Sequence, residues 1–243
     1  MFRLFAGKSS TFTPTKKHAE GSKSEGLSDY SKKSLGLGNM RQAVRLPPGE
    51  DINEWLAANT VDFFNEVSLI WGIITEAGIP QKAEGEGFPP GFEYSWWAVR
   101  SILRLIGGKS YSVFFFFLIP RADGVKVKKP IRCSGPAYVE FALNWIEDQI
   151  NDENIFPTSA ATPFPRTFEA SLKKIFTRMF RIFAIVYTNH VSVLEANGAT
   201  AHLNSSFKHF LFFSWEFLLL EAKETAVLDT MVTEIRGKYD TSL

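Results

Sequence analysis

Only one of the 243 residues is a cysteine, Cys133. An intrachain disulfide is therefore excluded, as is a zinc site built from several cysteines. Long apolar runs are missing too. The longest uncharged ones, 113–119 and 210–215, fall well short of the roughly 18 residues a membrane-spanning helix needs. The opening residues, MFRLFAGKSS, contain no apolar h-region, so no signal peptide is expected. No excess of one charge is present, because 27 Lys+Arg face 26 Asp+Glu, and a uniformly basic nucleic-acid binder is disfavoured. GxGxxG, P-loop, HExxH and GxSxG signatures are all absent. His202 and His209 lie two helical turns apart, about 10 Å along one face, too far to share an ion without other elements. A helical metal-dependent hydrolase is thus the weaker alternative, and no enzyme is expected.

What is present suits a soluble intracellular globular protein. Hydrophobic residues make up 45% of the chain and include 23 Phe, ample for a core. Charge is segregated along the chain: residues 1–45 carry net +6, 50–96 net −8, 97–132 net +7, 133–165 net −5, 166–190 net +4 and 191–243 net −3. Blocks of alternating sign suggest distinct faces for distinct charged partners, although a solvated helix surface would also produce them.

Residues 1–45 are rich in Ser, Thr, Lys and Gly without sustained periodicity, and read as a flexible basic arm. Pro47-Pro48-Gly49 ends it, and 46–243 form the folded domain. Asp51 and Glu54 cap a first helix whose apolar stripe is Ile52, Leu56, Phe63, Val67 and Ile70. Residues 79–92 are a Gly/Pro loop. Alternation at 92–96 and 127–133 predicts two strands of a small β-hairpin. Ser134 and Pro136 open a helix to about Gln149. Helical patterns then run over about 168–195, 200–220 and 221–236. The expected class is all-α, a helical bundle with a small β-hairpin.

The stretches LPPGEDINEWLAANTVDFFNEVSLIWGIITE (46–76), KKPIRCSGPAYVEFALNWIEDQINDENIFP (128–157), FTRMFRIFAIVY (176–187) and AHLNSSFKHFLFF (201–213) resemble the Mob (Mob/phocein) family of kinase co-activators. The motifs recur in family order over most of 35–235. The resemblance implies a non-catalytic adaptor in Hippo- or mitotic-exit-like signalling. Its helical core would bind the basic N-terminal segment of NDR/LATS-type AGC kinases, and in some members phosphorylated segments of Ste20-type kinases. It also implies a cytoplasmic location, with the nucleus as a second one.

Placed on a helix, Asp51, Glu54, Trp55, Ala58, Asp62 and Glu66 fall within about 60° of one line. This acidic line would meet a basic helix, with Trp55 as apolar anchor or cation–π surface. The resemblance implies kinase binding through Glu50, Asp51, Glu54, Trp55 and Asp62. The plainer reading makes Trp55 partly core and the acids capping and solubilising groups. Lys174, Arg178 and Arg181 share another helical face able to hold a phosphate. The family's phosphopeptide site has a Lys-Arg pair and a second Arg here; Thr177 stands at the Lys position, and Lys174 would have to replace it. Thr11 and Ser34 sit where relatives carry phosphorylatable Thr, and phosphate there would change how the arm lies over the acidic face.

Family members bind a structural zinc through two Cys and two His. The corresponding positions are Gly78, Ala83, Ile185 and His190, one donor of four, so no metal and no other cofactor is expected. Loop 77–92 should be looser than in relatives, because nothing visible in the sequence staples it. Residues 97–121 match nothing in the family and read either as a retained short intron translated in frame or as a genuine lineage-specific loop. The lost ligands, Thr177 and this insertion leave a decayed or mis-spliced paralogue without kinase binding as the main alternative function.

Overall fold

The computed structural model describes residues 18–36, 39–96, 132–159 and 161–241. Helices α1 (Lys23–Gly36) and α2 (Met40–Val44) precede the 25-residue α3 (Ile52–Glu76). Then come α4 (Gly135–Asn151), α5 (Phe168–Asn189), α6 (Val191–Ala196) and α7 (Thr200–Glu216). Helix α8 (Ala222–Thr225), a 3-10 turn (Ala226–Leu228) and α9 (Asp229–Thr241) close the chain against α5 and α7. The class is all-α, as expected.

Helix starts follow the capping chemistry. The Asp51 carboxylate accepts from the Asn53 and Glu54 amides at 2.8 and 3.1 Å, satisfying two of the orphan donors of α3. Ser134 caps α4, with Pro136 in its first turn. Helix ends were less legible. The pattern predicted over 168–195 breaks at His190, whose φ of −132° is not helical. Helix α7 stops at Glu216, short of 220, because Leu218 turns left-handed (φ 53°). The Leu219 and Leu218 amides then return to the Ser214 and Trp215 carbonyls, a Schellman closure. The pattern over 221–236 divides into α8, the 3-10 turn and α9.

The centre is aromatic. Phe63 of α3 lies 5.9, 5.6 and 5.2 Å (ring centroids) from Phe176, Phe210 and Phe213, and Phe176 stacks on Phe210 at 5.2 Å. Phe64 and Phe180 are buried with them. Each such pair adds about 0.5–1.5 kcal/mol beyond the area it buries.

The largest departure from expectation is at the amino-terminal side. Residues 23–36 and 40–44, read from the sequence as part of a flexible arm, fold into α1, which packs on α3, and α2, which packs on α1 and α7. Helix α1 buries Leu27 but also Ser28 and Ser31. A helix that packs through serines has no apolar stripe to reveal it. Arg41 ties α2 to α9: it donates to the Tyr239 carbonyl at 2.8 Å and lies 4.1 Å above the Tyr239 ring.

The hairpin is reduced among the described residues to a lone bridge at Trp96, with 92–95 irregular. Of the second strand predicted over 127–133, residues 132 and 133 are not strand and 127–131 lie outside the described residues, as do the whole 97–121 insertion and Thr11. The expectation that nothing staples loop 77–92 is corrected, because other contacts fasten it. Gly85 N–H donates to the Cys133 carbonyl at 3.0 Å, Gly135 N–H to the Glu86 carbonyl at 2.7 Å, and Asn189 Nδ2 to the Gly87 carbonyl at 3.1 Å. Phe88 is buried against Tyr94 and Tyr138. The approach to α4 is so close that a Cβ on Gly135 would overlap the Gly87 carbonyl.

Candidate functional site

Two charged regions are built on this frame, one at the start of α3 and one along α5. At the first, Glu50, Asp51 and Glu54 gather around the α3 N-terminus, where the helix dipole favours acids. The face they begin does not open to solvent as the helical projection suggests. Trp55 is fully buried, and so is Ala58. The Trp55 indole N–H donates to the Val44 carbonyl at 3.2 Å, and its ring meets Tyr30 edge-on at 6.1 Å and Phe213 at 6.4 Å. As an exposed anchor Trp55 is therefore corrected; it is core, roofed by α1. The projection fails because α3 is packed by α1 as well as by α4, α5 and α7, and Trp55 touches both Tyr30 of α1 and Phe213 of α7.

Helix α1 and His18, which precedes it, meet this face with basic and polar groups. Lys23 pairs with Glu50 at 3.2 Å. The two ring nitrogens of His18 lie 2.7 Å from Ser24 Oγ and 3.2 Å from Asp62 Oδ1. Ser31 donates to Asn59 at 3.0 Å. A shallow groove of about 320 Å³ remains between α1 and the α3 entry, lined by Lys23, Gly26, Leu27, Tyr30, Pro47 and Glu50. So Glu50, Asp51 and Glu54 lie together at an accessible rim, while Asp62 sits two turns further along and is already engaged.

In the second region α5 carries Lys174, Arg178 and Arg181 beside α4. The Arg178 guanidinium lies 3.9 Å over the Trp145 ring and 5.4 Å from Trp96. It has no carboxylate partner among the described residues, and its buried Nε makes no hydrogen bond. Arg181 lies 4.9 Å over Tyr94, 3.5 Å from the Tyr138 hydroxyl, and 2.9 Å from a Glu224 carboxylate oxygen. Burial holds the Arg178 guanidinium below its ordinary range. At Arg181 burial acts the same way but is outweighed by Tyr138 and Glu224, which raise it. Lys174 is exposed. The sequence pattern placed the three cations on one face of α5 but missed the aromatic walls and Glu224, which arrive from other elements with no local signal.

A family model for the Mob1/phocein family matches residues 32–228. The chain belongs to the Mob1/phocein family. It is 43% identical over 235 residues to "MOB kinase activator-like 1A" of Medicago sativa subsp. falcata, covering 97% of this chain and 98% of that one. It is 42% identical to "MOB kinase activator-like 1A" of Arabidopsis thaliana, covering 94% and 95%. With "MOB kinase activator-like 1 homolog A" of Dictyostelium discoideum it shares 40%, covering 96% and 97%.

The zinc that the Mob resemblance implies can be tested against the side chains at its positions. Gly78 and Ala83 offer no donor atom, and Ile185 is fully buried hydrocarbon. His190 is buried with Nε2 unpartnered, its ring edge-on to Trp71 at 5.5 Å. Burial, then the nearby Lys82 charge, holds its pKa below the usual histidine range. One imidazole in an aromatic wall does not make a tetrahedral site, so these residues do not fit the metal. Among the described residues no three His, Cys, Asp or Glu are grouped to hold an ion. His202 is exposed and His209 buried, so the two do not converge on a shared pocket. No helix among the described residues is long and apolar enough to cross a membrane.

Proposed function

We propose that this Mob-family chain is a non-catalytic kinase co-activator that binds the basic N-terminal segment of an NDR/LATS-type kinase at the head of α3. The relatives' names support a kinase co-activator role. The single observation that carries the binding mode is the occupancy of the acidic face by the chain's own α1 and by His18, which precedes it. Lys23 on Glu50 and His18 on Asp62 are the contacts a basic helix would make there. A kinase segment competes for the same carboxylates, with Glu50, Asp51 and Glu54 as the entry rim. Trp55 becomes reachable only when α1 leaves.

Phosphate on Thr11 or Ser34 would add about −1.5 to −2 charge to the basic amino-terminal segment and weaken its attraction to these acids. The Lys174–Arg178–Arg181 cluster takes a phosphorylated segment of an upstream Ste20-type kinase. The folded core works without metal or other cofactor.

The test is fluorescence anisotropy with a labelled peptide of an NDR-type kinase N-terminal segment. Glu50→Lys with Glu54→Lys should weaken binding at least about tenfold, and affinity should fall steeply with salt, because exposed charges are screened over about 8 Å at physiological ionic strength. Unchanged affinity in the double variant overturns the assignment.

A further inference from the structure

Arg178 and Arg181 stand one turn apart on α5, yet the fold treats their charges differently. Arg178 is walled by Trp145 and Trp96 and faces no carboxylate among the described residues. Arg181 already holds one. Glu224, brought in on the four-residue α8, contacts it at 2.9 Å, with the two side chains only 21% and 29% exposed respectively. A half-buried carboxylate on one of two neighbouring guanidiniums has the charge and hydrogen-bonding geometry of one anionic oxygen of a ligand.

We propose that Glu224 is the resident counter-anion of the arginine cluster, and that it sets the cluster's selectivity for dianionic phosphate monoesters over single carboxylates. The inference rests on reading the cluster as a phosphate site. Three cations, Lys174, Arg178 and Arg181, against one carboxylate leave a charge of +2. A dianion matches this charge and brings oxygens for both Arg178 and Arg181. A lone carboxylate on an incoming peptide only repeats the interaction Glu224 already makes and leaves Arg178 unmatched. Glu224 also repels any anion that approaches, so it raises the charge an anion must carry to bind. The Trp96 and Trp145 walls keep Arg178 fixed and in partly excluded water, where its charge is less screened.

The experiment titrates two peptides into the full chain, followed by the fluorescence of Trp96 and Trp145 and by calorimetry. One peptide carries a single phosphothreonine among neutral residues; the other has Glu in its place. Wild type should bind the phosphopeptide and leave the Glu peptide unbound, a comparison that needs no variant. Glu224→Gln, which keeps an acceptor for Arg181, should tighten phosphopeptide binding about three- to tenfold and make the Glu peptide measurable. Glu224→Asp should behave as wild type, and Arg178→Ala should abolish phosphopeptide binding. A melting curve establishes that each variant is folded. If no variant and no wild type binds the phosphopeptide, the phosphate reading itself falls. If Arg178→Ala abolishes binding but Glu224→Gln leaves it unchanged or weaker, the site stands. Glu224 then only positions Arg181, and the counter-anion role is overturned. Equal binding of both peptides to wild type also overturns it.

Discussion

Leu27→Ser offers a direct measure of how firmly α1 covers the acidic face. Leu27 is 5% exposed and is the one aliphatic side chain that α1 buries among its described positions. Replacing it by serine forfeits about 1.5–3 kcal/mol of burial. Among its other contacts are one buried hydrogen bond from Ser31 to Asn59, one edge-on ring pair between Tyr30 and Trp55, and the surface pair Lys23–Glu50. These three contribute about 1–4 kcal/mol before the entropy of ordering α1 is subtracted. A cover so balanced is expected to open when Leu27 is lost. If the covered state is populated about ten- to a hundredfold over the open one, the kinase peptide's apparent affinity should rise by up to that factor. Anisotropy with the labelled kinase peptide measures the gain. Hydrogen exchange of the α1 amides, and quenching of Trp55 by a small solute, report opening in the absence of peptide. An affinity that is unchanged or lower in Leu27→Ser, while α1 exchanges faster, would show that α1 does not compete with the peptide.

Chelator should leave the melting temperature unmoved, and elemental analysis should find far less than one zinc per chain; chelator-sensitive unfolding would contradict the donor assignment. Burial lowers the His209 pKa to about 4, partly opposed by Asp62, against 6.5 in the unfolded chain. The unfolded state therefore takes up the proton first, and stability should fall by up to about 3 kcal/mol as pH drops from about 6.5 to 4. His209→Gln should flatten that part of a denaturation-versus-pH curve. Leu218 is 77% exposed at φ 53°, in a Schellman position like that of Gly198 (φ 67°) after α6. Leu218→Gly should raise stability in urea by about 1 kcal/mol, and a loss would show that the exposed side chain has a structural partner.

The features written in short stretches of sequence were legible. Asp51 with Glu54, and Ser134 with Pro136, specify the starts of α3 and α4, because a cap is satisfied within one turn. The phenylalanines of α3, α5 and α7 recur at helical spacing, and their burial at a common centre needs little more than that spacing. The Mob motifs and the loss of zinc donors at Gly78, Ala83 and Ile185 are matters of residue identity.

Other properties depended on which elements meet. Trp55 lies on a line with Asp51 and Asp62, so a single-helix projection exposes it. Helix α1, packing through Leu27, Ser28 and Ser31, covers it, and a seam of small polar residues has no periodic apolar signature. Loop 77–92 lacks the cysteine donors at Gly78 and Ala83, yet its backbone pairs with residues 133 and 135 and with Asn189. The charges of Arg178 and Arg181 follow from sequence, but the difference between them does not. Trp145 and Tyr138 come from α4, Trp96 from the segment before it, and Glu224 from beyond α7. Sequence determined the family, the helical class and the sign of each charged face, because each follows from local composition and spacing. Which charges are already matched was decided only by tertiary structure, because an ion pair depends on distance in space, and residues 181 and 224 become neighbours only in the folded chain.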